Sequence, residues 1–366
     1  MTKIEKLDYR VVRIPLRKPV VFAAGVLTEA AHLLLEIGDS DGVTGHAEVI
    51  PRPMIYGDTV SSACAVLEEE IRPLILGQRV EAPAAIMKRL AKVIGNYVIK
   101  GAVDMALHDL SCRRANVSCH SVLGGFTDRV VVTVMLGAGE PEAMAAEAAE
   151  AQERYGASSY KVKVGFDVMR DVAAMRAVRA AVPDALIYVD ANHGYSGLQA
   201  RRFAELTSEL GVSWMEEPTD ADRPLERERF RRESGMPILG DESCVTAGAV
   251  AREALAGRID LVSLKVARTG YSVSDQIRGF CESTGIVPVM GNQGDSGLGT
   301  LCSLAYGAAH ESTSAEPGEY TYFLELTDDI LAEPLEIAGG RLAVPPGPGN
   351  GAVLDRDKID FYGRSR

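Results

Sequence analysis

Between residues 130 and 290, apolar residues gather in short runs, and between the runs they recur at steps of three and four. The runs cover 130–136, 159–163, 186–190, 212–216, 238–241, 261–265 and 286–290. Their length and β-branched content predict strands buried on both faces. The stretches between them predict helices. One covers 141–155, rich in Ala and Glu; the next carries Val172, Met175, Val178 and Val182 and stops at Pro183; another carries Phe203, Leu206 and Leu210. Such three-and-four spacing is the inward stripe of a helix lying against a sheet. Strand and helix therefore alternate, with 320–326 expected as the eighth element. The residues closing five of the runs, Lys163, Asp190, Glu216, Asp241 and Lys265, follow one another at steps of 27, 26, 25 and 24. A period near 25 residues is a βα repeat. It predicts a closed barrel whose C-terminal strand ends share one mouth, where chemistry is placed.

The chain on either side of this repeat has another pattern. Residues 9–16 are apolar and β-branched, and 32–37 and 43–49 flank Asp39-Ser40-Asp41-Gly42, a hairpin turn signal. Residues 59–115 read as helices, with Ala63, Val66, Leu67, Ile71 and Leu74 in helical spacing and Met105, Leu107 and Leu110 after Lys100-Gly101. Strands followed by helices without alternation predict an α+β domain over 1–125, closed by Gly124-Gly125. The barrel then takes 126–326. The segment 327–366, with the stiff stretch Leu342-Ala343-Val344-Pro345-Pro346-Gly347-Pro348-Gly349, is expected to pack back on the first domain.

Charge and composition narrow the function. A formal net charge of −12 argues against nucleic acid or an anionic membrane surface as a partner, since both need a basic face. A small anionic substrate is still compatible, because a bound divalent cation reverses the sign inside a pocket. The six cysteines form no CxxC pair and suit a reduced, cytoplasmic chain. No window approaches the roughly 18 apolar residues of a membrane span.

Asp190, Glu216 and Asp241 offer three hard oxygen donors at neighbouring strand ends, a set that suits Mg²⁺, with Mn²⁺ as a possible substitute. Single acidic residues often end strands as caps of the next helix; three in register, with lysines on the strands to either side, call for another explanation. Alternation turns only one of Glu216 and Glu217 inward, and Glu216 is read as the ligand with Glu217 behind it. Of the adjacent pair Asp241 and Glu242, Asp241 is the ligand and Glu242 is free to pair with a lysine. Lys161 and Lys163 share one face of a strand. Mutual repulsion and a nearby metal are expected to lower their pKa values and so to favour a neutral amine that can act as a base. Lys265 lies on the other side of the barrel. His193, three residues after Asp190, reads as an ordinary loop histidine, with reach into the pocket as the alternative. The loop Gly291-Asn292-Gln293-Gly294-Asp295-Ser296-Gly297-Leu298-Gly299 is expected to touch substrate, with Asp295 as its polar candidate.

As a set, Lys161-Val162-Lys163, Asp190-Ala191-Asn192, Met215-Glu216-Glu217-Pro218, Gly240-Asp241-Glu242-Ser243 and Leu264-Lys265-Val266 resemble the motifs of the enolase superfamily, specifically its muconate-lactonizing-enzyme subgroup. The resemblance spans essentially the whole chain. It implies a modified (β/α)7β barrel with an α+β capping domain, a homo-oligomer (dimer or octamer), and a small carboxylic acid as substrate. It also implies Lys163 as an acid/base, Lys161 as its supporting charge, and Asn192 and Glu242 beside the ligands. Two capping-domain loops would set specificity; here they are 20–25, apolar and small, and 51–56, which offers Arg52 and Tyr56. An arginine suits a second anionic or polar group on the substrate. Met290-Gly291-Asn292 and Lys265 stand where the mandelate-racemase pattern has a His and an Asp, which excludes that subgroup. The stretch around Glu319-Tyr320-Thr321 lacks the Asp-x-Asp of the dipeptide epimerases, and Asp295-Ser296 stands where muconate cycloisomerases carry Glu-x-Ser or Glu-Ser.

The reaction expected is abstraction of the proton α to a carboxylate through an enolate, with Lys163 on one face and Lys265 on the other. Racemisation or epimerisation of an amino-acid derivative comes first, because two opposed bases are its minimum. Dehydration of a hydroxy acid, such as a hydroxyproline, and muconate-type cycloisomerisation are the alternatives. A non-catalytic carboxylate-binding barrel would have lost a ligand or a lysine, and none is missing.

Overall fold

In a computed structural model, which describes residues 2–22 and 25–364, the chain forms three sheets. The first is antiparallel, in the order β1 (Ile4–Phe22), β2 (Gly25–Asp39), β3 (Thr44–Val49). The turn read at Asp39-Ser40-Asp41-Gly42 joins β2 to β3: Asp39 Oδ1 accepts from the amides of Asp41 (2.9 Å) and Val43 (3.0 Å). Helix α1 (Tyr97–Ala115) packs on β3. Gly45 makes that approach possible, since a Cβ there would strike the Ala106 carbonyl and the Leu110 amide.

β1 and β2 are longer than the sequence predicts. They pair from Ile4–Asp39 to Phe22–Gly25, with a register shift between Pro15 and Val20. Their far end crosses the barrel: Thr327 N donates to Pro15 O (3.0 Å), Arg17 Nε to Leu324 O (3.0 Å) and Ala138 N to Val21 O (3.3 Å). The predicted loop 20–25 is thus the tip of a hairpin; Ala23 and Ala24 lie outside the described residues.

Next comes β4 (Arg129–Val131), and the parallel sheet then runs in sequence order: β5 (Val134–Leu136), β6 (Ser159–Lys163), β7 (Leu186–Asp190), β8 (Val212–Glu216), β9 (Ile238–Gly240), β10 (Leu261–Leu264) and β11 (Val287–Met290). The single strand expected over 130–136 is two strands. β4 turns outward to pair antiparallel with Arg341–Ala343, while β5 pairs with β6. Helices follow the strands, among them α2 (Pro141–Tyr155), α3 (Val168–Ala181), α4 (Gly197–Leu206), α5 (Pro224–Ser234), α6 (Ala247–Leu255), α7 (Val266–Thr284) and α8 (Gly297–Gly307). The eighth position is filled by Gly318 and Glu319 rather than by 320–326. Glu319 N donates to Met290 O (2.8 Å) and Thr133 N to Gly318 O (2.7 Å), which closes the ring, whereas Tyr322–Glu325 is a 3₁₀ turn. Extended backbone is needed only where both neighbours offer partners, and these two residues satisfy both.

Inside the ring, Tyr188 stacks on Trp214 (ring centroids 4.9 Å apart) and packs with Leu239, Leu261 and Val289. Each belongs to the inward face of its strand, so the residue two positions on faces the mouth. The chain after β11 returns to the first helices: Cys119 N donates to Gly349 O (2.7 Å), Asn350 N to Asp109 Oδ1 (2.7 Å), and Arg356 pairs with Glu36 (2.8 Å). All six cysteines are free, and among the described residues no helix is long and apolar enough to cross a membrane.

Candidate active site

The strand register brings the predicted residues together. Lys163 pairs with Asp190, and Asp190 with Glu216, as Cα neighbours on adjacent strands. Asp241 follows β9 and Lys265 follows β10, so the three carboxylates form a row with Lys163 at one end and Lys265 at the other. Asp190, Asp241 and the two lysines border a cavity of about 900 Å³, its open mouth included, and Glu216 lies buried behind them. Lys161, Lys163, Asp190, Asn192, Asp241, Lys265 and Glu319 form its floor. Pro19, Val20, Leu27, Arg52, Ile55 and Tyr56 enclose it from the capping side.

Lys161 is 2% exposed, with three carboxylates around its ammonium: Asp190 at 3.0 Å, Glu216 at 2.8 Å and Glu319 at 2.9 Å. Burial by itself would lower its pKa, but these three charges raise it well above the usual lysine value. The same balance, with Asp241 2.5 Å away, raises Lys265. The depression expected at Lys161 from lysine–lysine repulsion is therefore absent, because the carboxylates around it outweigh its neighbouring amine.

Asp190 is held at about 2, since Lys161 and Lys163 outweigh the cost of its burial, and Asp241 is lowered in the same way by Lys265 and Arg268. Glu216 goes the other way. Burial, reinforced by Asp190, pushes it well above the carboxylate range in spite of Lys161. Both of its oxygens are buried and accept no hydrogen bond; the Lys161 ammonium is close enough for an ion pair but off the hydrogen-bonding direction. A buried carboxylate without donors, between two others, fits a hard divalent cation. Glu216, Asp241 and Glu242 each place an oxygen within 4.8 Å of the others. That grouping has Glu242 where the strand-end reading has Asp190. Asp190 is the better candidate, because it is the register partner of Glu216 and shares the Lys161 ammonium with it, whereas Glu242 is taken up by Asn192.

The residues behind the row fix its geometry. Glu217, at φ +40°, is fully buried; its Oε1 accepts from the Asp241 amide (2.6 Å), the Ser243 amide (2.9 Å) and Ser243 Oγ (2.6 Å), and its Oε2 from Arg227. Those bonds pin the backbone that carries Asp241. Arg268 donates to Asp241 Oδ1 (2.6 Å) and to Tyr56 Oη (3.0 Å), joining a floor carboxylate to the capping loop. Glu242 is bonded not to a lysine but to Asn192 Nδ2, at 2.8 Å. His193 lies outside the cavity lining, with Nε2 facing Glu217 (3.4 Å) and Glu242 (3.8 Å).

Asp295 does not reach the cavity. It is 1% exposed, behind the loop, where Asn292 Nδ2 (3.2 Å) and Ser303 Oγ (3.3 Å) donate to it, while Asn292, Gln293 and Gly294 supply the wall. The next residue, Ser296, is drawn to Glu48 of β3, which turns Asp295 inward. Glu319 is the floor residue that sequence reasoning missed. It accepts from Lys161 Nζ, from Tyr188 Oη (2.6 Å) and from the Asn292 amide (3.1 Å). It sits in an irregular stretch after Pro317-Gly318, without the apolar run that marked the other strands.

Two family models cover most of the chain. Residues 6–124 match the mandelate racemase / muconate lactonizing enzyme N-terminal domain, and residues 143–358 match the enolase C-terminal domain-like family. The chain belongs to the muconate-lactonizing-enzyme subgroup of the enolase superfamily. A solved muconate lactonizing enzyme from Mycobacterium smegmatis, complexed with muconolactone, is 38% identical with a TM-score of 0.97; the match covers 98% of this chain and 99% of that one. An N-succinylamino acid racemase of Thermus thermophilus is 32% identical over 372 residues, 99% of this chain and 97% of its own. Muconate cycloisomerase 1 of Rhodococcus opacus is 30% identical over 374 residues, 99% of each chain. This enolase-superfamily chain is accordingly an enzyme of the isomerase or lyase kind.

Proposed function

We propose that the protein moves a proton at the carbon next to a substrate carboxylate, and that the substrate carries a second anionic group. The observation behind this is the row itself: two lysines, at its opposite ends, flank three carboxylates. Asp190, Glu216 and Asp241 would hold Mg²⁺, or Mn²⁺ in its place, and the cation would supply neutralising charge for the enolate oxygens. Lys163 gives or takes the proton on one face and Lys265 on the other. Lys161 keeps Asp190 and Glu216 from repelling each other, and its contact with Glu319 keeps it in place. On the capping side, Arg52 is 9% exposed and lines the cavity; its Nε is committed to Gln293 O (2.7 Å), which leaves the far end of the guanidinium for the second anionic group.

Muconate-type cycloisomerisation is the first reading. One carboxylate of the diacid sits at the row while the other adds to the β carbon, and one lysine protonates the α carbon. The similarity to the two muconate enzymes supports it. Racemisation of an N-acylated amino acid such as an N-succinyl derivative is the second, favoured by the presence of both lysines and by the racemase relative.

The test is incubation with Mg²⁺ in D₂O with cis,cis-muconate, both enantiomers of N-succinylphenylalanine and 4-hydroxyproline, followed by NMR and mass spectrometry. Lactone formation supports the first reading. Gain of one deuterium without other change supports the second, and loss of water would move the assignment to a dehydratase. Turnover of simple monocarboxylates in preference to every diacid would overturn the role given to Arg52.

A further inference from the structure

Lys163 and Lys265 are held by different means. Lys265 Nζ is seated directly on Asp241, whose other oxygen is bonded to Arg268. Lys163 Nζ donates to Asp190 Oδ2 (2.6 Å) and to the side-chain carbonyl of Asn192 (2.9 Å). Asn192 passes that restraint outward, since its Nδ2 donates to Glu242 Oε1 at 2.8 Å. The second oxygen of Glu242 faces His193 Nε2. His193 Nδ1 accepts from the Ala221 amide (3.3 Å), which assigns the ring proton to Nε2, between Glu217 (3.4 Å) and Glu242 (3.8 Å). Asn192 and His193 both have left-handed backbone, φ +40° and +65°, which only a few non-glycine residues tolerate. The chain thus accepts an unfavourable conformation at two consecutive residues, the first of which bonds Glu242 while the second faces Glu217 and Glu242.

We propose that Asn192 and Glu242 act as a pair of positioning residues for Lys163 alone. The two ends of an asparagine amide are almost the same size, so packing does not choose between them; the hydrogen-bond partners do. Glu242 accepts only from the NH₂ end and so keeps the oxygen end toward the lysine. With the amide reversed, NH₂ would face ammonium, donor against donor, and Lys163 would keep only Asp190. Glu242 also borders a second, outer pocket with Pro224, Ser243 and Arg252, and Asn192, which it bonds, lines the cavity on the other side. Among the described residues, Lys265 has no such amide in contact with its ammonium. The consequence is asymmetric: disturbing Asn192 or Glu242 weakens proton transfer on the Lys163 face and leaves the Lys265 face as it was.

The inference rests on the proton-transfer roles proposed above, so its first test is independent of any substrate. The whole chain, with Mg²⁺ present, is labelled briefly with acetic anhydride, and the rates at Lys163 and Lys265 are read peptide by peptide in a mass spectrometer. Loss of one hydrogen bond to a charged group should raise the Lys163 rate about three- to tenfold in Asn192→Leu and in Glu242→Leu, with Lys265 unchanged. Glu242→Gln keeps an accepting oxygen for Asn192 and should label like the wild type. An unchanged Lys163 in both leucine variants, equal changes at the two lysines, or Glu242→Gln behaving like Glu242→Leu would overturn the proposal.

A second measurement follows deuterium entry into each enantiomer of N-succinylphenylalanine separately. Glu242→Leu should slow exchange from one enantiomer and spare the other; equal slowing of both would also overturn it. Absence of exchange or turnover with any acid in the wild type would count against the proposed reaction, whereas the labelling asymmetry would still decide the pairing.

Discussion

At the floor of the cavity, Lys161 touches three carboxylates within 3.0 Å, and every neighbour is charged or hydrogen-bonded. A few residues above, the capping side offers Pro19, Val20, Leu27 and Ile55, with Arg52, Lys18 and Tyr56 as its polar members. Strand ends build the floor, and their positions are locked by ladder hydrogen bonds and by the packing of Tyr188 and Trp214 beneath them. A hairpin and a turn build the roof, held to the barrel by single hydrogen bonds such as Ala138 N to Val21 O and Arg52 Nε to Gln293 O rather than by a parallel ladder. On the proposed reading, the floor carries the proton transfer, and the roof can change which acid is admitted without disturbing that chemistry.

Removing the divalent cation is the sharpest way to separate the two regions. Chelation should abolish turnover and leave the roof intact; re-addition of Mg²⁺ at a hundred times its dissociation constant should restore activity and add about 2.7 kcal/mol of stability, read as a rise in Tm. An unchanged Tm would mean that the floor does not hold the metal. Next in size are Lys163→Ala and Lys265→Ala, each expected to lower kcat by about 10²- to 10⁴-fold with an unaltered circular dichroism spectrum. Full activity in either would remove the two-base assignment.

Arg52→Leu addresses the roof. It should raise KM for a diacid by about ten- to a hundredfold, the worth of one charge-assisted hydrogen bond, while kcat changes little. A fall in kcat with KM unchanged would instead place Arg52 with the floor.

The smallest effect lies away from both regions, where the C-terminal segment meets the first sheet. Glu36 is held at about 2, first by its hydrogen bond to His46 and then by Arg356, against the cost of its burial. A carboxylate lowered by folding stabilises above its unfolded value near 4.5 and loses that contribution as pH falls toward 2. Stability should therefore decline through that window, and Glu36→Gln should flatten the decline. An identical acid profile for the variant would remove Glu36 from the account.

The floor was legible in the sequence because a βα repeat places one inward charge at a fixed interval, and an interval survives without knowledge of distant contacts. Lys163, Asp190, Glu216, Asp241 and Lys265 could all be read that way. Glu319 could not, since its strand position exists only through bonds to Met290 and, beside it at Gly318, to residues 131–133, none of them adjacent in sequence. Asp295 shows the converse: a polar residue in a glycine-rich loop after a strand suggests the cavity, yet the pull of Glu48 on Ser296 turns it away. The protonation of Lys161 turned on how close Asp190 and Glu216 come to its ammonium, with Glu319 adding to them, and distances of that kind are not written in the sequence. The hairpin was underestimated because Pro15 and Pro19 look like ends of a strand, whereas the register shift between Pro15 and Val20 lets pairing resume beyond them.

Gly294 has backbone at φ +92°, and a Cβ on it would occupy the space of the Arg52 guanidinium. The arginine is on the cap and the glycine is on the barrel, so the place of this cavity-lining guanidinium exists by permission of an atom missing from the other domain. Replacement of Gly294 by any larger residue would evict Arg52 without altering it. For protein engineering, this makes one barrel position a dial for the acid accepted, and a natural drift in diet of such enzymes could begin with a single codon far from the arginine it displaces.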